Sequence, residues 1–198
     1  MATAARPFGL PVNPTDHRSP GWWGMVLVIT TEAGFFAYFL FGYFYLGSMA
    51  HDAWPPSGAP SLRLTLPNTI ILLLSSVTMW WGESGIRRGT QWRLRAGLAL
   101  TFLLGEVFLV VQCVEYARAG FTPQTSAYGS LFFTITGFHG AHVAAGLMMN
   151  VFVQARGWAG HFTAERHLAV SNVAMYWHFV DAVWLVVFLS LYLSPRWG

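Results

Sequence analysis

The segment YWHFVDAVWLVVFLSLY, residues 176–192, sets an imidazole and a carboxyl three residues apart in an otherwise apolar run. His178 and Asp181, at i and i+3, share one face of a helix and can bond each other or a neighbouring helix. Five more ionisable groups stand in similar surroundings: Glu32 in VITTEAGFF, Glu106 and Glu115 in LALTFLLGEVFLVVQCVEYA, and His139 and His142 in TGFHGAHVAAG. Residues of these types support three chemistries. As hydrogen-bonding groups between packed helices they contribute on the order of 1 kcal/mol each. As acids and bases, a lone carboxyl such as Glu32 could exchange protons or tune a neighbouring acid. As ligands, His142 and His178 fall at nearly equal depth, within about 3 Å by helical rise, and two facing imidazoles could hold a haem iron.

These groups require an explanation because of what surrounds them. Of 198 residues, 55% are hydrophobic and 10% charged, against about 25% charged in a soluble domain. Apolar stretches at residues 22–46, 67–85, 96–117, 131–154 and 168–193 each approach the roughly 20 residues that cross a hydrocarbon core. In lipid the backbone must satisfy itself, so each stretch is predicted to be a helix. The expected fold is an all-α membrane protein: a polar N-terminal tail over residues 1–21, then one domain of five transmembrane helices over 22–198. A charge at the bilayer centre costs about 3 kcal/mol on insertion scales, so the seven groups must be matched by something.

The remaining features constrain function by exclusion. All 11 basic residues are arginine and lie mainly in the connections. Eight fall on one side: Arg6 and Arg18, then Arg87, Arg88, Arg93 and Arg95, then Arg156 and Arg166. Three, Arg63, Arg118 and Arg196, fall on the other. Positive residues favour the cytoplasmic side, which predicts the N-terminus inside and the C-terminus outside. The net charge of +3 is thus a topology signal and not a nucleic-acid footprint. The first span lacks the layout of a removable signal and is expected to stay as an anchor. Pro67 in LPNT is placed in the first turn of the second span, where its missing N–H does no harm. The single cysteine, Cys113, permits no internal disulfide and reads as a buried, inert thiol. Trp177 and Trp184 read as deep packing residues, while most other tryptophans suit the membrane surfaces. Glycine and alanine in TGFHGAHVAAG should let another helix approach the fourth span closely. No phosphate loop, zinc-protease motif or nucleophile motif is present.

YGSLFFTITGFHGAHV (128–143) and YWHFVDAVWLVVFLSLY (176–192) resemble signature segments of cytochrome c oxidase subunit III. TTEAGFF, WPPSG, LPNT, VEYARAGFT and HFTAERH match in the same order, so the resemblance covers nearly everything after residue 20. It is to the five-span bacterial form, which lacks the first two helices of the seven-span one. The resemblance implies a non-catalytic subunit of a proton-translocating terminal oxidase in a bacterial inner membrane. Haem and copper then belong to catalytic subunit I and subunit II, and this chain binds neither. It also implies that the chain stabilises the catalytic subunit, helps sustain proton uptake and binds phospholipid. Cytochrome c or quinol would meet the complex and not this chain; quinol oxidases and nitric oxide reductase-associated proteins share the subunit type. Glu32 matches the family's buried, carbodiimide-reactive glutamate. His139, His142, His178 and Asp181 match its intramembrane motif positions, with a structural role. Arg156, His161 and Thr163 fall where the family contacts lipid phosphate. Glu106 stands where the family usually has an apolar residue, and Ser171 where many relatives carry glutamate.

Overall fold

The structure, a computed structural model, describes residues 19–50, 54–56 and 60–196. Most of the expected tail, with Arg6 and Arg18, therefore lies outside the described residues, as do Asp52 and Trp197. Five long helices follow one another: α1 (Pro20–Met49), α2 (Leu62–Arg87), α3 (Gln91–Arg118), α4 (Ala127–Trp158) and α5 (Leu168–Phe188). The last runs on through a π turn, Leu189–Leu193, and a 3-10 turn, Ser194–Arg196. No strand occurs among the described residues. All five helices are long and apolar enough to cross a membrane, so the chain is an all-α, multi-pass membrane protein.

α1, α2 and α4 start ahead of their apolar stretches because capping side chains, more than hydropathy, set where they begin. Ser19 accepts a hydrogen bond from the Trp22 N–H, and Pro20 occupies the first helical position, where no donor is needed. Ser126 does the same for α4, accepting from the Gly129 N–H at 3.1 Å. Ser61 accepts from the Arg63 N–H at 3.3 Å, which starts α2 at Leu62, five residues before Pro67. The proline expected in the first turn is consequently inside the helix. The hydrogen bond that its ring removes is the one to the carbonyl four residues back, in the exposed first turn. Gly89, with φ +75°, supplies the left-handed residue that lets α3 begin after a connection of three residues.

That turn brings α2 and α3 into the closest pairing of the bundle. A Cβ built on Gly97 would stand 2.6 Å from Gly82 Cα and 2.8 Å from the Thr78 carbonyl oxygen, so only two glycines facing each other allow this approach. Beyond it α3 packs on α4, α4 on α5 and α5 back on α2. Successive helices are thus neighbours from α2 onward. α1 instead leans on α4 and α5.

Two fully buried tryptophans of α5 fill the centre. The ring of Trp177 occupies the space that side chains at Gly105 of α3 and Gly146 of α4 would take; a Cβ at either would meet it at 2.7 or 2.8 Å. Its indole N–H donates to Ser75 Oγ of α2 at 2.9 Å. Trp184 donates to Thr69 Oγ1 of α2 at 3.0 Å. The small residues of α4 therefore receive a side chain where a helix backbone was expected. Gly137 and Gly140 face the Tyr116 hydroxyl and a Leu109 methyl at ordinary contact distances. Cys113 is exposed and not buried. It sits on the α3 stripe Leu103, Glu106, Val107, Val110 and Val114, which turns outward while Gly97, Gly105, Phe108 and Gln112 turn in.

Candidate functional site

The intramembrane polar groups fall into separate clusters, each between a different pair of helices. Between α1 and α4, His142 Nδ1 lies 2.7 Å from the Phe138 carbonyl oxygen, and Nε2 lies 3.0 Å from Glu32 Oε2. A carbonyl oxygen only accepts, so Nδ1 carries a hydrogen. One further proton then sits between Nε2 and the carboxyl, donated either by a glutamic acid to neutral imidazole or by imidazolium to carboxylate. The pair has the same net charge in both forms. Glu32 is therefore not the lone carboxyl expected. The hydroxyls of Thr30 and Thr31 turn back to carbonyls of their own helix. Phe36 and Phe138 meet the His142 ring edge-on at 5.1 and 4.7 Å between centroids, which fixes its plane. The pair is not sealed: the Glu32 side chain keeps 28% of its surface exposed, against 11% for His142.

Between α2 and α5, His178 Nδ1 is 2.8 Å from Ser76 Oγ. Asp181 is buried, at 3% exposure, and neither carboxyl oxygen completes a hydrogen bond of ordinary geometry. Its polar neighbour is the same Ser76 hydroxyl. The i, i+3 spacing thus aims both groups at α2 without joining them to each other. His139 is fully buried and hydrogen-bonds through neither nitrogen. Its ring lies against Trp184, 4.8 Å between centroids, with Phe108 edge-on at 5.8 Å.

The two imidazoles expected at equal depth consequently face different helices. Both nitrogens of His142 are engaged by protein groups, and His178 turns to α2, so they do not converge on a common ligand. No group of three or more His, Cys, Asp or Glu side chains is placed to hold a metal among the described residues.

The other candidates are scattered. Glu106 is exposed on the outward stripe of α3, beside a shallow apolar groove shared with Leu109 and Met148. Glu115, near the far end of α3, accepts from the Thr65 hydroxyl at 2.7 Å. At the opposite end, the Arg156 guanidinium lies over the rings of Phe152 and Phe162, 5.7 and 5.6 Å from their centroids. The His161 N–H donates to the Arg156 carbonyl at 3.1 Å. Thr163 donates to Glu165 Oε2 at 2.9 Å, and that hydrogen bond holds the exposed Glu165 carboxyl below the usual carboxylate range. Arg156 and His161 are thus adjacent through the backbone, while the Thr163 hydroxyl is committed to its own loop.

Sequence reasoning missed the partners. Thr69, Ser75 and Ser76 receive the α5 groups, the Asn68 amide donates to the Phe108 carbonyl at 3.0 Å, and Glu83 pairs with Arg87 at 2.6 Å. A signal was present. Thr65, Asn68, Thr69, Ser75, Ser76 and Glu83 recur at steps that keep them on one face of α2, the polar counterpart of an apolar stripe.

Comparison with known proteins places this geometry in a family. The model of the family described as cytochrome c oxidase subunit III matches residues 18–198. Among curated relatives, cytochrome c oxidase subunit 3 of Cyprinus carpio is 42% identical over 184 residues, 89% of this chain and 69% of the relative. The protein of the same name from Pelomedusa subrufa is 40% identical over the same shares. That of Lumbricus terrestris is 38% identical over 183 residues, 89% of this chain and 70% of its own. The chain belongs to the cytochrome c oxidase subunit III family and is a subunit III of a haem–copper oxidase complex.

Proposed function

We propose that this chain is a non-redox member of its complex, bracing catalytic subunit I beside subunit II in a bacterial inner membrane, with haem and copper on those partners. One observation carries the reading: the intramembrane imidazoles face different protein groups and not one another. His142 ties α4 to α1, His178 ties α5 to α2, and His139 is walled in by aromatic rings. Such a set holds helices in place and leaves no two imidazoles converging on an axial site. The arginine distribution supports an N-terminus inside and a C-terminus outside. Glu32 is the candidate for proton exchange, because its carboxyl is hydrogen-bonded to His142 and remains partly open. Phospholipid is the expected non-protein ligand, with Arg156 and His161 facing it.

The test is affinity purification of the tagged chain from the membranes that produce it. Haem and copper should elute with larger partner chains, and the chain separated from them should be colourless. A stoichiometric Soret band on the separated chain would overturn the reading. A partner with a soluble copper-binding domain would assign cytochrome c as electron donor; a partner lacking the copper ligands would assign quinol.

A further inference from the structure

α3 turns a row of apolar side chains away from the bundle. Leu100, Leu103, Val107, Val110 and Val114 are all exposed and recur at alternating steps of three and four, the spacing with which one helix packs along another. Lipid covers such a row equally well, so apolar exposure alone names no occupant. Glu106 does. It is exposed near the middle of α3, beside the row, and lines a groove of about 390 Å³ with Leu109, Ala144 and Met148. It forms no ion pair or hydrogen bond with any described residue; the salt bridges among them are Arg87–Glu83 and His142–Glu32. A charge in mid-bilayer costs about 3 kcal/mol on insertion scales, and hydrocarbon has no donor to offset it.

We propose that this face of α3 seats a transmembrane helix of another subunit, one that carries an arginine or lysine at mid-membrane, and that this cation enters the α3–α4 groove to pair with Glu106. In heptad terms the exposed row occupies the a and d positions and Glu106 a g position, where interhelical ion pairs select the partner. A second copy of this chain does not fit. Two copies share one orientation in the membrane, so their α3 helices would pair in parallel, and the e position facing Glu106 would hold Val111. Nor does this chain have a mid-span cation to offer. Its arginines stand in connections or near helix ends, and its intramembrane histidines face its own helices. The contact requires a membrane partner, whether or not that partner holds the haem.

The test places photoreactive p-benzoylphenylalanine at Val107 or Val110 of the chain in the intact oxidase complex, in its native membrane, and identifies the adducts by mass spectrometry. The adduct should be a membrane-spanning peptide of another subunit with an arginine or lysine within about two helical turns of the bilayer centre. Glu106→Leu should lower the amount of this chain retained by the detergent-solubilised complex about tenfold, while Glu106→Asp keeps most of it. Exchanging the charges, Glu106→Lys with the partner's cation changed to glutamate, should restore retention, which a purely packing role would not. Because Glu106 is exposed, thermal unfolding of the purified chain should be the same in every variant. Haem should stay with the partner chains throughout, and haem found on this chain would overturn the proposed function while leaving this contact standing. Adducts with lipid alone, with a second copy of this chain or with a helix lacking a mid-span cation would overturn the contact, as would retention unchanged by Glu106→Leu.

Discussion

α1 and the four helices that follow it solve the membrane problem differently. Half of the most apolar stretch of α5 is buried (50%), against 11% of that of α1. α1 buries only Phe36 and Tyr43 fully, and Leu27, Phe35, Tyr38, Phe41 and Phe44 face outward. The bundle α2–α5 is locked by shape: glycine against glycine between α2 and α3, and Trp177 seated in hollows of α3 and α4 while bonded to α2. α1 is held by the hydrogen bond between Glu32 and His142, by the Asn172 amide of α5 donating to the Gly21 carbonyl at 3.1 Å, and by ring contacts around Phe36 and Phe138. In lipid, apolar surface by itself gives helices no reason to associate, so close packing and interhelical hydrogen bonds decide which contacts are firm. A helix with little close packing and two polar ties, one to α4 and one to α5, is the part of the molecule free to be positioned by its surroundings. Its outward aromatic face is surface for lipid or for a neighbouring oxidase subunit.

The contrast can be broken at its strongest point first. Trp177→Ala should destabilise the bundle by about 3 kcal/mol or more, because it opens a cavity touched by four helices and removes the indole donor to Ser75 Oγ. Denaturant titration of the purified chain in mixed micelles would read this as an earlier loss of helicity. Gly97→Val should cost about 1–3 kcal/mol, since its Cβ would collide with the Gly82 backbone, which cannot rotate away as a flexible side chain could. The same titration would rank it below the tryptophan variant, and a disulfide engineered across α2–α3 should form more slowly. His142→Ala should cost only about 1 kcal/mol, yet loosen α1 selectively. Spin labels on α1 and α4 would show a broadened distance distribution, with the α2–α3 distance unchanged. A loss of global stability matching that of the Trp177 variant would refute the division into a locked core and a tethered helix.

The smallest expected effect lies outside the membrane. Thr163→Val should return the Glu165 carboxyl upward to the ordinary carboxylate range, followed by NMR titration of a 13C-labelled carboxyl. The sign follows from linkage: a group held low in the folded state contributes stability above its unfolded pKa and loses it as pH falls through the folded value. The wild-type loop should therefore loosen in acid and the variant should not, with little change in the bundle. A Glu165 titration unmoved by the substitution would remove Thr163 as its cause.

Composition and hydropathy alone determined the class of this protein and the number of its long apolar helices. Those properties are local: a run of apolar residues must form a helix in lipid whatever lies beside it, and helical rise fixes how deep each side chain sits. The ordered motifs likewise carried the family, which matching over residues 18–198 bore out. Which groups meet was decided by tertiary structure, because depth says nothing about rotation or neighbour order. His178 and Asp181 share a face, but that face turns to Ser76, and Glu32 finds its partner 110 residues away in His142 because α1 crosses to α4 and bypasses α2. Cys113 and Glu106 went the other way, outward, for the same reason. Only packing reveals that the glycines at 82, 97, 105 and 146 point inward, and only by doing so do they choose the side of α3 that remains outside.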